Sequence, residues 1–317
     1  MARVVLALLT VSLAVLLAAV LALSAAPALA APVAVQHARG ETVLAEPPKR
    51  VVVFDPAALD TLDALGVEVL GVPGANLPDF LAKYRDDRYL KVGTLFEPDY
   101  EAVAAAAPDL IIIGGRSAAK YAELAKIAPT IDLTVDSGHF LDRTRANVET
   151  LGRLFDKAEP AQALTARLDA ARARVKAAAP DAGRVLMIMV AGGKLSAYGA
   201  GSRFGWIYGD LGLAPVAAGK EGDTHGDVIS FEYILKANPA WLLVLDRDAA
   251  IGRAAVAART VLDNDIVAAT QAARTDRIVY LDAARWYVAG GGGRATVEIT
   301  ESLADALEGQ AKGGAGK

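Results

Sequence analysis

Short apolar runs alternate with segments whose apolar residues recur at helical spacing, from about residue 42 onward. This rhythm predicts a mostly parallel sheet covered by helices. In the first half, the predicted strands are residues 50–54, 67–72, 110–113 and 130–133, and the predicted helices are residues 56–65, 98–107 and 118–128. Beyond residue 180 a second series begins, with predicted strands at residues 184–190, 241–245 and 278–281 and a terminal helix at residues 296–307.

The alternation stops between residues 141 and 179, where nearly every residue favours helix. No glycine or proline interrupts residues 161–179, so we expect a long helix that ends at Pro180. Because a new strand follows at once, we interpret this helix as a connector between two lobes rather than an ordinary surface helix. The predicted division is a signal peptide at 1–30, an N-terminal α/β lobe at 31–155, the connecting helix at 156–180 and a C-terminal α/β lobe at 181–317.

The first 30 residues are typical of an export signal. Arg3 supplies a positive charge, residues 4–23 form an almost unbroken apolar run, and the segment ends in Ala-Leu-Ala. A membrane anchor is the alternative, but no charged cluster follows the run. The chain contains no cysteine, so we expect neither a lipid-anchoring cysteine nor a disulfide. These features predict a soluble periplasmic protein once the signal peptide is cleaved.

The overall charge argues against a nucleic-acid partner. The chain carries a formal net charge of −4, and loss of Arg3 makes it −5, whereas surfaces that bind nucleic acids are basic. The remaining chain of about 287 residues is long enough for two lobes of ordinary size.

The two halves share one block of sequence at the same spacing. In each, an aromatic residue and a glutamate are followed by a proline, a strand and an arginine. The members are Tyr100, Glu101, Pro108 and Arg116 in the first half and Phe231, Glu232, Pro239 and Arg247 in the second. This agreement indicates two related lobes. Each glutamate lies near the start of a helix, where it either stabilises the helix N-terminus or contacts a partner.

Three arginines follow predicted strands. Arg116 and Arg247 come directly after theirs, and Arg203 lies in the glycine-rich segment 198–205. Ligands of open α/β sheets bind at the carboxyl ends of strands, so two facing lobes would direct these side chains into one cleft. Guanidinium groups bind anionic oxygens. Three of them on an acidic protein therefore indicate a strongly anionic ligand.

One histidine and one tyrosine lie in loops expected at the same edge. His225 is in Asp-Thr-His-Gly-Asp, and Tyr287 precedes a run of glycines that we expect to be flexible. On residue type alone, His225 is either a ligand or an ordinary polar residue, and Tyr287 is either a ligand or a packed aromatic. The remaining histidines, His37 and His139, are expected in surface loops.

Five segments resemble the catecholate-siderophore branch of the class III periplasmic binding proteins, which serve ABC importers. They are RVVVFDPAALDTLDALG (50–66), EPDYEAVAAAAPDLIIIGGR (97–116), GSRFGWIYGDLG (201–212), THGDVISFEYILKANPAWLLVLDR (224–247) and YLDAARWYVAGGG (280–292). The resemblance covers nearly all of the mature chain. It implies two Rossmann-like α/β lobes with mostly parallel sheets, joined by one long helix, and a shallow cleft between the lobes.

The resemblance also implies roles for particular residues. Arg116, Arg203 and Arg247 match arginines that hold catecholate oxygens in the cleft. His225 and Tyr287 match side chains that, in some members, complete the coordination of the iron.

Two further residues match acidic positions that meet arginines on the permease, namely Glu101 and Glu232. Arg285 departs from the family pattern, which is less basic before the Trp-Tyr pair, so the ligand preference could differ. We expect a monomer that binds without catalysis, delivers its ligand to an ABC permease driven by an ATPase, and moves its lobes little because the connecting helix is rigid.

The expected ligand is Fe(III) bound as a siderophore complex, with no intrinsic cofactor. Iron(III) is a hard ion that prefers oxygen donors and six ligands. A hexadentate tris-catecholate fills all six positions and carries about three negative charges, so His225 and Tyr287 would only line the pocket. A tetradentate bis-catecholate leaves two positions that these two residues could fill.

The sequence leaves several alternative ligands and one alternative function open. The same fold could carry haem, cobalamin or a hydroxamate siderophore, although three arginines favour a multiply anionic ligand. A zinc or manganese site would need more histidine or carboxylate ligands. A siderophore esterase could be built from Ser202, His225 and Asp246, but the Gly-x-Ser-x-Gly motif of such hydrolases does not occur.

Overall fold

A two-stranded hairpin opens the described part of the chain. The computed structural model describes residues 32–75, 77–216 and 226–314, so the predicted signal peptide at 1–30 lies outside it. Strands β1 (Val33–His37) and β2 (Gly40–Leu44) pair in antiparallel fashion. His37 ends β1, next to the turn that joins it to β2, and its Nε2 lies 2.9 Å from the Thr42 hydroxyl.

The first sheet has five strands, all parallel, in the order β5-β4-β3-β6-β7. Its strands are β3 (Val51–Val53), β4 (Gly71–Val72), β5 (Leu90–Lys91), β6 (Leu110–Ile113) and β7 (Thr130–Asp132). The central strands β3 and β6 are fully buried. Continuous apolar runs of this kind are typical of parallel strands covered on both faces.

Four helices and three 3₁₀ turns accompany this sheet. The helices are α1 (Pro56–Ala64), α2 (Tyr100–Ala105), α3 (Tyr121–Leu124) and α4 (Phe140–Leu154). The 3₁₀ turns are Asp79–Arg85, Ala118–Lys120 and Ser137–His139. The predicted helix at 118–128 is therefore shorter than expected. Pro129 follows it, and a proline disfavours helical conformation in the residue before it.

The long helix α5 (Ala158–Ala182) lies between the two sheets in sequence. The prediction that it ends at Pro180 was wrong, because Pro180 lies inside its last turn and Gly183 follows the helix with a φ of +75°. A proline there removes only one hydrogen bond, and glycine readily adopts the positive φ that commonly ends helices.

The second sheet is mostly parallel but has an antiparallel extension. Its order is β11-β9-β8-β12-β13, with β10 paired to β8. Its strands are β8 (Arg184–Ala191), β9 (Lys194–Tyr198), β10 (Ala214–Pro215), β11 (Asp227–Ile229), β12 (Trp241–Asp246) and β13 (Ile278–Tyr280). Strands β9 and β11, which we did not predict, form the antiparallel part.

The helices of the second half are mostly single turns. They are α6 (Trp206–Gly209), α7 (Phe231–Ala237), α8 (Arg247–Ala250), α9 (Ala258–Val261), α10 (Asp265–Ala268), α11 (Gln271–Arg274), α12 (Ala283–Tyr287) and the long terminal helix α13 (Gly293–Gly314). In the ranges described, no helix combines the length and the apolar character needed to span a bilayer.

One hydrophobic cluster runs through both halves. It includes Val51 and Leu110 of the first sheet, Leu168 of α5, and Met187 and Leu243 of the second sheet. Burial of apolar surface is the main favourable contribution to folding. The two sheets therefore share a core through the connecting helix, and the predicted class of two mostly parallel α/β sheets joined by one long helix is confirmed.

Helix α13 packs along α5 and also reaches α1. Arg167 and Arg174 of α5 form ion pairs of 2.8 Å with Glu301 and Glu308 of α13. At the other end, the fully buried Asp60 of α1 accepts a hydrogen bond of 2.8 Å from the backbone N–H of Ala295. The C-terminal helix thus ties the connecting helix to the first half of the chain.

Candidate functional site

Three arginines converge on the ring of Tyr287. The guanidinium carbon of Arg203 lies 4.6 Å from the ring centroid, that of Arg116 lies 5.5 Å away, and that of Arg247 lies 5.9 Å away. Cations at such distances are attracted to the face of an aromatic ring. The structure therefore brings together four of the five residues that we predicted to bind ligand.

Two of these arginines follow an interior strand of their own sheet. Arg116 follows β6 and Arg247 follows β12, as predicted from the shared block. Arg203 arrives differently, because the antiparallel strand β9 precedes it, not a parallel strand as we expected. The segment between β9 and α6 nevertheless carries it to the same tyrosine.

Hydrogen bonds join the arginines to the segment around Tyr287. Arg116 donates from Nη2 to the Tyr287 carbonyl at 2.6 Å and from Nη1 to the Val288 carbonyl at 3.1 Å. Arg203 donates to the Tyr287 carbonyl at 3.5 Å, and Arg247 Nε donates to the Tyr287 hydroxyl oxygen at 3.2 Å. Arg116, from the first half, therefore bridges to the second.

The positive charges change the acidity of the phenol. Burial alone raises the pKa of Tyr287, but the hydrogen bond from Arg247 and the charges of Arg247, Arg203 and Arg116 outweigh it. The pKa of Tyr287 therefore lies below the usual value for tyrosine. Since a phenolate is a hard oxygen donor, this environment favours the form that binds Fe(III).

The arginines also affect one another. Burial, followed by the nearby charge of Arg203, lowers the pKa of Arg116, whereas the hydrogen bond to Tyr287 raises the pKa of Arg247. An anionic ligand between these groups would relieve the repulsion between Arg116 and Arg203.

A stack of aromatic rings supports the site from the core. Trp286, next to Tyr287, stacks on Trp206 with 5.2 Å between ring centroids, and Trp206 stacks on Phe140 at 4.7 Å. Phe140 belongs to α4 of the first half, whereas both tryptophans belong to the second. This packing holds α12, and with it Tyr287, in a defined position relative to both halves.

The glycine run after Tyr287 is packed, and the expectation that it is flexible was wrong. A β-carbon on Gly292 would lie 2.7 Å from an Asp60 carboxylate oxygen and 2.8 Å from the Ala57 carbonyl oxygen. The Gly293 N–H donates to the Thr61 hydroxyl at 2.9 Å. Glycine is needed here because the start of α13 approaches α1 closely.

A cavity of about 580 Å³ opens beside the arginines. Both halves contribute to its walls, which include the side chains of Asp55, Phe96, Arg116, Phe140, Arg203 and Tyr287. Ligand sites commonly have this size and this mixture of apolar and charged groups. A second cavity, of about 340 Å³, lies between residues 73–75 and 77–79 on one side and residues 249–252 on the other.

We did not predict Asp55 and Phe96 as site residues. The carboxylate of Asp55 accepts a hydrogen bond of 3.0 Å from the Ala58 N–H at the start of α1. Burial raises the pKa of Asp55, while its backbone hydrogen bonds and Arg116 oppose the shift. The Asp-Pro pair after a strand is a helix-start signal, so the sequence indicated a capping role but not the position beside Arg116.

The remaining predicted site residues are His225, Glu101 and Glu232. His225 lies outside the described residues, so its role stays a prediction. Glu101 and Glu232 are exposed in the first turns of α2 and α7. A hydrogen bond with Ser230 lowers the pKa of Glu232. Their docking role stays a prediction as well.

Arg285 does not line the cavity beside Tyr287. It forms ion pairs with Asp282, at 2.6 Å, and with Glu298, and its guanidinium carbon lies 4.4 Å from the ring centroid of Phe80. Since Phe80 belongs to the first half, Arg285 makes a contact between the halves. The structure does not place it where it would touch a ligand beside Tyr287.

Two of the three residues of the alternative hydrolase site, Ser202 and Asp246, make structural contacts, and the third, His225, lies outside the described residues. Ser202 is only 2% exposed, and its hydroxyl donates to the Gly199 carbonyl at 2.7 Å. Asp246 accepts hydrogen bonds from the N–H groups of Ala249 and Ala258. Within the ranges described, no three histidine, cysteine or acidic side chains cluster as a metal site.

Two α/β sheets with a shared core, and a cavity that both halves of the chain line beside the converging arginines, are typical of a two-lobed ligand-binding protein. The periplasmic binding protein family matches residues 51–284. The chain belongs to this family, and the resemblance inferred from the five sequence segments is confirmed.

Two relatives are similar to this chain over most of their own length. The petrobactin-binding protein YclQ of Bacillus subtilis is 42% identical over 82% of this chain and 83% of its own. Its crystal structure matches with a TM-score of 0.82, over 87% of this chain and 99% of its own. The ferric-anguibactin-binding protein FatB of Vibrio anguillarum is 32% identical over 81% of this chain and 82% of its own.

A third relative is known from its crystal structure. The periplasmic catecholate-siderophore-binding protein VctP of Vibrio cholerae is 37% identical and matches with a TM-score of 0.81. The match covers 86% of this chain and 99% of VctP.

Proposed function

We propose that this chain is a periplasmic binding protein that captures a ferric catecholate siderophore between its lobes and delivers it to an ABC permease driven by an ATPase. The observation that carries the proposal is the convergence of Arg116, Arg203 and Arg247 on Tyr287 beside a cavity of about 580 Å³. The names of YclQ, FatB and VctP, all of which refer to siderophores or their ferric complexes, support the same ligand class.

The three arginines would neutralise the ligand. A ferric tris-catecholate carries about three negative charges, and guanidinium groups bind anionic oxygens with several donors each. Asp55 and Asp136 also line the cavity, so the positive charge that would attract an anionic complex comes from the arginines alone. The arginines would therefore select for a multiply anionic complex over neutral ligands of the same size.

Tyr287 would have one of two roles, set by the denticity of the ligand. With a tetradentate bis-catecholate, its phenolate oxygen and His225 would fill the two coordination positions that the siderophore leaves open. With a hexadentate ligand, Tyr287 would only contact the complex. The lowered pKa of Tyr287 favours the first role, because less free energy is needed to remove its proton.

The remainder of the proposal concerns delivery. Glu101 and Glu232, exposed on the two halves, would pair with arginines of the permease. The chain would act as a monomer without catalysis and without an intrinsic cofactor. It would comprise a signal peptide at 1–30, lobes at 31–155 and 181–317, and a connecting helix at 156–180 whose rigidity limits lobe movement.

Titration of the purified protein with a small panel of ligands tests the proposal. The panel contains ferric complexes of a bis-catechol amide and a tris-catechol amide, a ferric hydroxamate, haem and cobalamin. We expect quenching of tryptophan fluorescence at submicromolar concentrations of the catecholates only. Tight binding of haem, cobalamin or the hydroxamate, with no response to either catecholate, would refute the proposed ligand. Release of hydrolysed siderophore that is lost in Ser202→Ala would favour an esterase instead.

A further inference from the structure

Phe96 is a large apolar side chain that is left exposed on the cavity wall. Its ring is 54% exposed, whereas Phe54, Phe140 and Phe204 are each 9% exposed or less. It lines the same cavity as Arg116, Arg203 and Tyr287. An exposed aromatic side chain inside a ligand cavity commonly marks a surface that a ligand covers.

The backbone that presents Phe96 is held in one conformation. Phe96 lies in a tight turn over residues 93–98, where the Thr94 hydroxyl oxygen accepts hydrogen bonds from the N–H groups of Phe96 and Glu97. The Thr94 N–H donates to the Glu97 carbonyl at 2.9 Å, and Gly93 pairs with Pro98 in a β-bridge. The turn therefore fixes the backbone from which the Phe96 side chain extends along the cavity wall.

Gly93 makes this turn possible. Its φ is +104°, and a β-carbon there would lie 2.5 Å from both the Asp99 nitrogen and the Glu97 carbonyl oxygen. Only glycine adopts such a conformation without strain and fits so close to the backbone.

An ion pair joins the turn to the segment that carries Arg116. Lys120 Nζ lies 2.9 Å from the Glu97 carboxylate, and Lys120 ends the 3₁₀ turn Ala118–Lys120. The hydrogen bond to Glu97 raises the pKa of Lys120. The apolar ring and the Arg116 guanidinium are thus presented to the cavity by two segments that are directly linked.

We propose that Phe96 determines ligand specificity by stacking on an aromatic ring of the bound ferric complex. This inference rests on the proposed function and extends it. The arginines attract multiply charged complexes whether or not they contain aromatic rings, so they do not separate aryl from aliphatic siderophores. A fixed phenyl ring does, because it packs favourably against flat aromatic groups and gains little from aliphatic carboxylates.

The test compares two anionic ferric complexes on variants of the mature protein. One is the ferric complex of a bis-catechol amide, which presents aromatic rings, and the other is ferric citrate, which has none. For Phe96→Ala we expect about 3- to 10-fold weaker binding of the catecholate, with the affinity for ferric citrate changed less than about twofold. Phe96→Trp should keep the catecholate affinity of wild type, because tryptophan is also aromatic. Phe96→Leu, which is apolar but not aromatic, should weaken catecholate binding as Phe96→Ala does.

A control on another exposed apolar residue excludes a general surface effect. Val43 of β2 is 57% exposed and lines neither cavity described above. Val43→Ala should leave both affinities unchanged. Circular dichroism and thermal melting of each variant check that the fold is retained.

Three outcomes would overturn the inference alone: equal weakening of both complexes in Phe96→Ala, an unchanged catecholate affinity, or normal affinity combined with lost uptake in cells. The last would assign Phe96 to the permease contact. A wild-type protein that binds ferric citrate but no ferric catecholate would instead refute the proposed function, and the inference would fall with it.

Discussion

The two copies of the shared sequence block end in arginines that make different contacts. Arg116, after β6, donates two hydrogen bonds to backbone carbonyls of the other half of the chain. Arg247, after β12, instead contacts the side chain of Tyr287 within its own half. Burial lowers the pKa of Arg116, whereas the hydrogen bond to the phenol raises the pKa of Arg247. Equivalent positions in two related lobes can therefore hold the lobes together in one case and adjust a ligand group in the other.

Substitution of the glutamates at the start of the blocks is expected to have the largest effect, which is on siderophore uptake. If each lobe docks through its own glutamate, Glu101→Arg and Glu232→Arg each abolish siderophore uptake, because like charges would then face each other at the permease. Ligand affinity should not change, since both residues lie outside the cavity beside Tyr287. Uptake assays in cells, paired with fluorescence titration, measure the two effects.

Glu159→Arg is the matched control, because Glu159 is also exposed in the first turn of a helix. It removes the same favourable interaction with the helix N-terminus without touching either block. Normal uptake in both Glu101→Arg and Glu232→Arg would contradict their docking role.

The second expected effect is on ligand affinity, and it differs between Arg116 and Arg247. Arg116→Ala should weaken binding of a ferric bis-catecholate about 100-fold, because it removes a ligand contact and two charge-assisted hydrogen bonds between the halves. Arg247→Ala should weaken it only about 10-fold. Arg116→Lys keeps the charge but loses the paired donors, so an intermediate affinity is expected. Equal losses in the two alanine variants would show that the bonds between the halves add nothing to binding.

A third effect tests another contact between the halves, the hydrogen bond from the Ala295 N–H to Asp60. Burial raises the pKa of Asp60 to about 6, against the hydrogen bond from Ala295 and the charge of Arg294. Asp63, Lys83 and Glu298 also face this group. A raised pKa stabilises the fold at low pH, so the free energy of unfolding should fall by about 2 kcal/mol as the pH rises from 4 to 7.

Asp60→Asn should remove this decrease, since the amide does not titrate but still accepts the hydrogen bond from Ala295. Urea unfolding at several pH values measures it. A decrease of the same size in the variant would assign the pH dependence to other groups.

The smallest expected effect concerns the phenol that Arg247 contacts. Tyr287→Phe should weaken a tetradentate ferric complex about 10-fold and shift its charge-transfer absorption band. Because the pKa of Tyr287 lies below the usual value, coordination by wild type should strengthen as the pH rises towards that pKa, and the variant should lose this dependence. Tyr100→Phe, on α2, serves as the control. An identical band in wild type and Tyr287→Phe would show that Tyr287 does not bind the iron.

Local sequence patterns were sufficient to predict much of the fold and part of the candidate site. The apolar run Leu110–Ile113 was predicted with its observed bounds, and Trp241–Asp246 within one residue, because buried parallel strands are continuous apolar runs. Asp55, Phe96 and the antiparallel strands β9 and β11 were not recognised as part of the site or the sheet. Each depends on a partner that is distant in sequence or on a turn with no apolar periodicity.

The sequence by itself determined the order of the buried parallel strands, the long connector, and the arginines that follow β6 and β12, since these features depend on periodicity and on short-range spacing. Only the tertiary structure decided which groups meet. The hydrogen bond between Arg116 and the Tyr287 carbonyl joins residues 171 positions apart, and Arg203 reaches the same carbonyl from an antiparallel strand. Such contacts depend on how two sheets pack about a shared core, and side-chain periodicity along one segment carries no information about that packing.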